Sequence, residues 1–256
     1  MKPRGVALFA TCLVDLFYPE VGEATVRLLR RLGLRVSYPA GQTCCGQPLF
    51  NNGFWAEAAR VARRTVALLE REECIVIPSG SCASMILKEY PRLFQDDPAM
   101  LERVAALGRK TFELSDFLVR ILGREDVGAR LVGTAAYHPS CHLLRGLGIA
   151  EAPARLLRSV QGLTLRELSA AESCCGFGGS FAVKFAEVSN AILQEKIRNV
   201  HSSGTQMLIA NDCGCLMHLG GGLTRGGSAV RTLHLAEVLA GERSGVSRGG
   251  IEEGRP

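Results

Sequence analysis

The tripeptide Cys-Cys-Gly occurs twice in this chain, at Cys44-Cys45-Gly46 and at Cys174-Cys175-Gly176. With ten cysteines and 29 glycines in 256 residues, chance predicts about 0.04 such tripeptides, so two copies mark an internal repeat. The flanks agree. Cys12 precedes Cys44 by 32 positions and Cys141 precedes Cys174 by 33; Cys82 follows Cys45 by 37 and Cys215 follows Cys175 by 40. Each half later carries a similar string, Thr111-Phe-Glu-Leu-Ser-Asp-Phe-Leu118 and Thr232-Leu-His-Leu-Ala-Glu-Val-Leu239. These landmarks, in one order, predict a duplicated domain with copies at 1–127 and 128–243. The remaining residues, 244–256, are Gly, Ser and charged types without apolar period and are expected to be disordered.

Each half alternates short β-rich runs with helical patterns. In the first, Val6–Thr11, Leu34–Pro39 and Cys74–Pro78 read as strands, and Pro19–Leu32 and Phe54–Glu72 as amphipathic helices. In the second, Ala135–Tyr137, Leu163–Leu168 and Met207–Ala210 are the matching strands. Strands alternating with crossover helices imply parallel sheets. The expected fold is therefore α/β, with two tandem, pseudo-symmetric Rossmann-like domains, each a small parallel sheet with crossover helices. Every landmark cysteine falls just past the C-terminal end of a strand, the edge where open α/β sheets bind ligands. Helix N-termini at that edge favour thiolates and the anionic groups they hold.

Two quartets of thiolates result, Cys12, Cys44, Cys45 and Cys82 in one half and Cys141, Cys174, Cys175 and Cys215 in the other. Four thiolates suit a four-iron cluster or a tetrahedral zinc. Side chains of adjacent residues diverge, so a Cys-Cys pair reaches a large cluster more easily than one small ion. That favours two [4Fe-4S] sites, with zinc in one half as the other option. Core cysteines have no reason to double, pair with Gly and repeat in register, and disulfides are rare in the reducing compartment expected here. Cys74, in an apolar run, is expected in the core, and Cys213 as a loop thiol near the second site. His138, His142 and His218 flank the second quartet and are each expected to make ordinary hydrogen bonds. Gly176-Phe-Gly-Gly179 lacks dinucleotide-fingerprint spacing and is expected to let backbone approach a bulky group. Lys184 is expected to be solvated.

Composition narrows the class of function. Apolar residues at 47% and charged residues at 21% are ordinary for a globular chain, and no apolar run is long enough for a membrane span. The net charge of +5 is carried mostly by scattered arginines, since lysine occurs only five times, and no basic run with interleaved aromatics suggests nucleic-acid binding. Two thiolate-held clusters at about −2 each would bring the chain to about +1. Met1–Leu16 faintly resembles a signal peptide, but Asp15 interrupts it and it forms part of the repeat. A cytoplasmic location is expected.

The strings Gly41-Gln-Thr-Cys-Cys-Gly-Gln-Pro48, Pro78-Ser-Gly-Ser-Cys82, Tyr137-His-Pro-Ser-Cys141, Cys174-Cys-Gly-Phe-Gly-Gly-Ser-Phe181 and Cys215-Leu-Met-His218 resemble the cysteine-rich CCG domain. That domain occurs in heterodisulfide reductase, in iron–sulfur subunits of glycolate oxidase and anaerobic glycerol-3-phosphate dehydrogenase, and in lactate-utilisation proteins. The best match is to the lactate-utilisation protein A family, over about residues 5–240. The resemblance implies an iron–sulfur redox subunit of a system that oxidises L-lactate to pyruvate. It implies partner subunits, one of them ferredoxin-like, with a small 2-hydroxy acid as the substrate of the complex. A subunit for glycolate, or a zinc-bearing assembly module, is the alternative. In heterodisulfide reductase relatives the pattern ends in Cys-x-x-Cys, giving five cysteines per site; here Ser79 and Asp212 stand at the first of those positions.

Overall fold

The structure, a computed structural model, describes residues 3–241; the tail expected at 244–256 lies outside the described residues. The first half runs β1 (Gly5–Leu8), α1 (Cys12–Phe17), α2 (Pro19–Arg31), β2 (Arg35–Ser37), α3 (Gln47–Asn51), α4 (Trp55–Leu69), β3 (Ile75–Ile77), α5 (Gly80–Ser84), α6 (Tyr90–Leu93), α7 (Pro98–Gly108), β4 (Thr111–Glu113) and α8 (Leu114–Asp116). The second runs β5 (Arg130–His138), α9 (Glu151–Arg158), β6 (Gln161–Arg166), α10 (Ser180–Lys184), α11 (Ala186–Ser202), β7 (Met207–Ala210), α12 (Cys213–Arg225), β8 (Arg231–His234) and α13 (Leu235–Ala240). Segments of wider, π-type winding follow α5, α8 and Cys141, at Met85–Glu89, Phe117–Ile121 and His142–Gly146.

Two four-stranded parallel sheets form, in the orders β2-β1-β3-β4 and β6-β5-β7-β8. The central strands β3 and β7 are aliphatic throughout and buried along their whole length, as strands covered on both faces must be. The edge strands β2 and β6 are largely exposed. α2 begins with Pro at its first position, buries Val21, Ala24, Leu28 and Leu29, and gives way to Gly33 at φ +86°. Each sheet changes direction of winding between its first and third strands, and the loops leaving those strands carry the cysteines.

The repeated strings at 111–118 and 232–239 each prove to be a fourth strand followed by a helix. These strands, Thr-Phe-Glu and Arg-Thr-Leu-His, mix charged with apolar residues and form no β-rich run, so only their recurrence marks them. The closing helices are exchanged between halves: α13 packs on α2, and α8 with the turn after it packs on α9. Arg31 of α2 donates to the carbonyls of Leu239 and Ala240 at the end of α13 (2.5 and 2.8 Å). One hydrophobic core consequently runs through both halves, joining Val6, Leu8 and Leu28 to Ala135, Met207 and Ile209. A separate cluster lies behind each cysteine loop.

Candidate functional site

Cys12 opens α1, after Thr11 at φ +75°, whose hydroxyl accepts from the Val14 amide. Cys82 lies in α5, whose cap Ser79 accepts from the Cys82 amide. Cys44 and Cys45 sit in the loop after β2. Gln42 ties that loop to the end of β1, accepting from the Ala10 amide (3.0 Å) and donating to the Leu8 carbonyl (2.7 Å). In the second half Cys141 follows β5, Cys174 and Cys175 follow β6, and Cys215 lies in the first turn of α12.

The glycine of each tripeptide brings the adjacent cysteines together. Gly46 and Gly176 both hold φ +90°, a conformation that favours glycine. Their amides turn back to donate to the Cys44 and Cys174 sulfurs (3.4 and 3.3 Å). This bend overcomes the divergence expected of neighbouring side chains. In the first half the Cys12 and Cys45 sulfurs lie near enough to Cys44 to shift its ionisation, and Cys45 donates to Cys82 at 3.2 Å. The second half repeats the arrangement: Cys141 and Cys175 act on Cys174, and Cys175 donates to Cys215, again at 3.2 Å. Cys45, Cys82, Cys175 and Cys215 are buried, and the other four are half-buried. Every cysteine assigned from the sequence to a quartet joins that quartet.

Protonation is shared unevenly. Hydrogen bonds from Cys12 and Cys45, with the Gly46 amide, lower the Cys44 thiol to about 3. Hydrogen bonds from Cys141 and Cys175 likewise push Cys174 far down. Their donors move the other way: Cys12 and Cys45 are raised by their hydrogen bonds to Cys44, and Cys141 and Cys175 by theirs to Cys174, with burial adding to each. Each quartet thus concentrates its negative charge on the first cysteine of the pair. A bound cation would let the remaining thiols ionise, releasing protons. The donors are all soft sulfur, which suits zinc or an iron–sulfur cluster. Two sulfurs on one tetrahedral zinc sit about 3.8 Å apart, given bonds of about 2.3 Å, so the 3.2 Å pairs must spread to admit metal.

Two cysteines stand apart. Cys74 and Cys213 are buried in the shared core, and burial raises both thiols, Cys74 to about 12. Cys213 is thus a core residue rather than a loop thiol. Ser79 and Asp212, the two departures from the five-cysteine pattern, meet across the halves. The Asp212 carboxylate accepts from the Ser79 hydroxyl (3.3 Å), the Ser81 amide (2.9 Å) and the Gly214 amide (3.1 Å). Both its oxygens serve the interface and the cap of α12. Beside it, buried Asn211 donates to Glu113 (2.8 Å) and accepts from Tyr137 (3.0 Å).

The three histidines differ. His142 approaches the Cys141 sulfur through Nδ1 (3.5 Å) and Gln47 Nε2 through Nε2 (3.0 Å), bridging the two cysteine loops. Since the Gln47 amide nitrogen can only donate, the network places the His142 proton on Nδ1, facing sulfur. His218 is half-buried, bonds Ser189 (3.3 Å) and packs on Phe177. His138 is 1% exposed and makes no hydrogen bond of good geometry at either nitrogen. One of its nitrogens lies within 4.8 Å of the Cys175 and Cys215 sulfurs. Burial, then the Lys196 charge, lowers its pKa to about 4 and keeps the ring neutral. Lys196, itself buried, donates to the Ala170 and Ala171 carbonyls (2.7 and 2.9 Å) ahead of Cys174. Residue types alone rank His138 no higher than the other two, but aligning the repeats three residues before Cys12 and Cys141 sets it opposite Phe9.

Elsewhere the structure refines what the residues suggested. Lys184 donates to Asn52 Oδ1 (2.7 Å), joining α10 to the first half. Gly176, Gly178 and Gly179 all hold positive φ, so the chain reversal here favours glycine at each. Among the described residues no helix is long and apolar enough to cross a membrane.

Comparison with known proteins agrees with this geometry. The profile of a cysteine-rich domain, CCG, matches residues 6–87 and again 135–220, covering one quartet each time. Lactate utilization protein A of a Geobacillus species is 50% identical over 91% of this chain and 98% of its own length. Its namesake in Bacillus subtilis is 49% identical over the same shares. A crystal structure of a hypothetical protein from Helicobacter pylori aligns with 93% of this chain and about half (49%) of its own, with TM-score 0.65 and 12% identity, a likeness of fold alone. A fold with two CCG domains and identity near one half over nine-tenths of the chain lead to one conclusion: this chain belongs to the lactate utilization protein A family.

Proposed function

We propose that the chain is an iron–sulfur redox subunit of a system oxidising L-lactate to pyruvate. Cys12, Cys44, Cys45 and Cys82 would hold one [4Fe-4S] cluster and Cys141, Cys174, Cys175 and Cys215 a second, one in each copy of the domain, the copies dividing near residue 127. The observation that carries this reading is the same grouping of four thiols at the same sheet edge in both halves, each with a 3.2 Å contact between the second cysteine of the pair and the helix cysteine. Bound there, four-iron clusters supply one-electron transfer. Oxidation of lactate to pyruvate releases two electrons and two protons, which two one-electron sites can accommodate in turn.

The chain's own residues do the rest. The Gly46 and Gly176 amides donate to sulfur and stabilise the anionic form. Gln42 holds one cysteine loop to β1, and Lys196 holds the other. Cys12, Cys44, Cys141 and Cys174 remain partly open to solvent, leaving each site an exposed side for exchange with a partner. Partner subunits, one ferredoxin-like, would supply the electron donor and acceptor in the cytoplasm, with the 2-hydroxy acid bound at the level of the complex.

Metal and sulfide analysis of anaerobically purified protein, with visible and EPR spectra, tests this. About eight irons and eight sulfides per chain, bleaching on reduction, is the expected result. Stoichiometric zinc in a colourless protein, persisting after attempted cluster reconstitution, would replace it with a structural assembly role.

A further inference from the structure

The two quartets match sulfur for sulfur, yet their surroundings do not. At the end of β1, Phe9 is fully buried and packs in one cluster with Cys45 and Cys82. The equivalent place at the end of β5 belongs to His138, paired in register with Ala210 of β7. There the ring faces Cys175 and Cys215, the counterparts of Cys45 and Cys82, with a nitrogen within 4.8 Å of both sulfurs. A histidine buried to 1% with both nitrogens lacking a well-formed hydrogen bond is an unfavourable arrangement unless something else satisfies it. Among the described residues no side chain or backbone group hydrogen-bonds it. A buried, unpartnered imidazole beside two buried thiols is placed to offer a ring nitrogen to a metal.

We propose that His138 is a nitrogen ligand of the metal group held by the second quartet, beside Cys175 and Cys215, so that this site is mixed nitrogen and sulfur while the first is sulfur alone. The neutral imidazole donates a lone pair and loses no proton, whereas each thiol that coordinates releases one. With five donors available, one cysteine of the second quartet can remain uncoordinated. Cys141, half-buried and bonded to His142, is the one best placed to do so. The inference rests on the quartets binding metal, and its test separates the two ideas.

The full chain is purified and reconstituted without oxygen, carrying 15N-histidine, and metal is measured first. Where the second site holds iron, pulsed EPR of the reduced protein should show a strongly coupled histidine nitrogen. That coupling should persist in Cys45→Ser and vanish in Cys175→Ser and His138→Ala. Where it holds zinc, X-ray absorption at the zinc edge should show one nitrogen at about 2.0–2.1 Å among sulfurs at about 2.3 Å. The wild-type spectrum decides even if a variant fails to fold. A metal-loaded second site with a sulfur-only shell, or with only the weak coupling of a hydrogen-bonded ring, overturns the ligand role and leaves the quartets standing. A second site without metal overturns both.

Discussion

Gly46 and Gly176 share φ +90° and hold the same place in their loops, but their neighbours differ. A Cβ at Gly176 would lie 2.7 Å from the Ser189 carbonyl oxygen and 3.3 Å from Ile192. A Cβ at Gly46 would meet nothing closer than 3.6 Å, from the Ala58 carbonyl and Val61. Alanine at either position incurs the left-handed penalty of about 1–2 kcal/mol. At 176 the obstacle is backbone of α11, which the Ser189 hydroxyl also pins to the Gly176 carbonyl (2.9 Å). The helix must shift, adding about 1–3 kcal/mol. For a chain this size each kcal/mol lowers Tm by roughly 2–4 °C, so Gly46→Ala should lose roughly 5 °C and Gly176→Ala roughly 10 °C. The assay is thermal unfolding of metal-free protein, followed by circular dichroism in reducing buffer. A single transition is expected because one core joins the halves. Equal losses, or a larger loss at 46, would show that the contact with Ser189 does not separate the two loops.

Three further outcomes are expected. Cys45→Ser or Cys175→Ser should halve the iron, from about eight to about four per chain, while Cys74→Ser keeps it; equal depletion of both sites by one variant would contradict independent quartets. Asp212→Ala removes the acceptor of the Ser81 and Gly214 amides and should destabilise the chain by about 2–4 kcal/mol in urea unfolding, with a change under about 0.5 kcal/mol counting against the interface role. His234 caps α13 by accepting from the Ala236 amide through Nδ1, and burial lowers its pKa from 6.5 to about 4. As pH falls from 6.5 the unfolded chain takes up that proton first, so stability present above 6.5 declines toward pH 4 by up to about 3 kcal/mol. His234→Asn keeps a capping side chain without the titration and should make this acid limb shallower, leaving the share that buried His138 contributes; an unchanged limb would assign the lability elsewhere.

Much of the site was legible because its chemistry lies in residue types that rarely recur by chance. Two Cys-Cys-Gly tripeptides at matched distances from Cys12, Cys82, Cys141 and Cys215 define the quartets, and the aliphatic runs before them place the sheet edge. What stayed hidden depends on contacts between distant segments. The fourth strands, Thr111–Glu113 and Arg231–His234, mix charged with apolar residues and lack the aliphatic run that marks β3 and β7. The exchange of α13 onto α2 leaves no local trace, since an amphipathic helix looks the same whichever half it covers. Ser79 and Asp212 registered only as missing cysteines, and their contact needs both halves in place.

That contact bears on why the halves stay together and yet diverge. Ser79 and Asp212 hold equivalent positions in the repeat, so their meeting puts them at the local two-fold between the copies. A residue there serves the interface or its own site, and here both oxygens of Asp212 are committed to the interface and its helix cap. With Ser79 and Asp212 at these positions each half keeps four clustered cysteines, and a buried polar seam between the halves extends through Asn211 to Glu113 and Tyr137. Duplication by itself would make the sites identical. His138 against Phe9 and buried Lys196 on the α11 side set the surroundings of Cys174, Cys175 and Cys215 apart from those of the first quartet, where the Tyr90 hydroxyl donates to the Cys45 carbonyl. A buried ammonium and a neutral imidazole beside one anionic group, against aromatic carbon beside the other, favour added negative charge at the second site. Under this electrostatic difference an electron entering the pair should come to rest in the second half, and an EPR-monitored redox titration in which the site surviving in Cys175→Ser titrates above the site surviving in Cys45→Ser would refute that order.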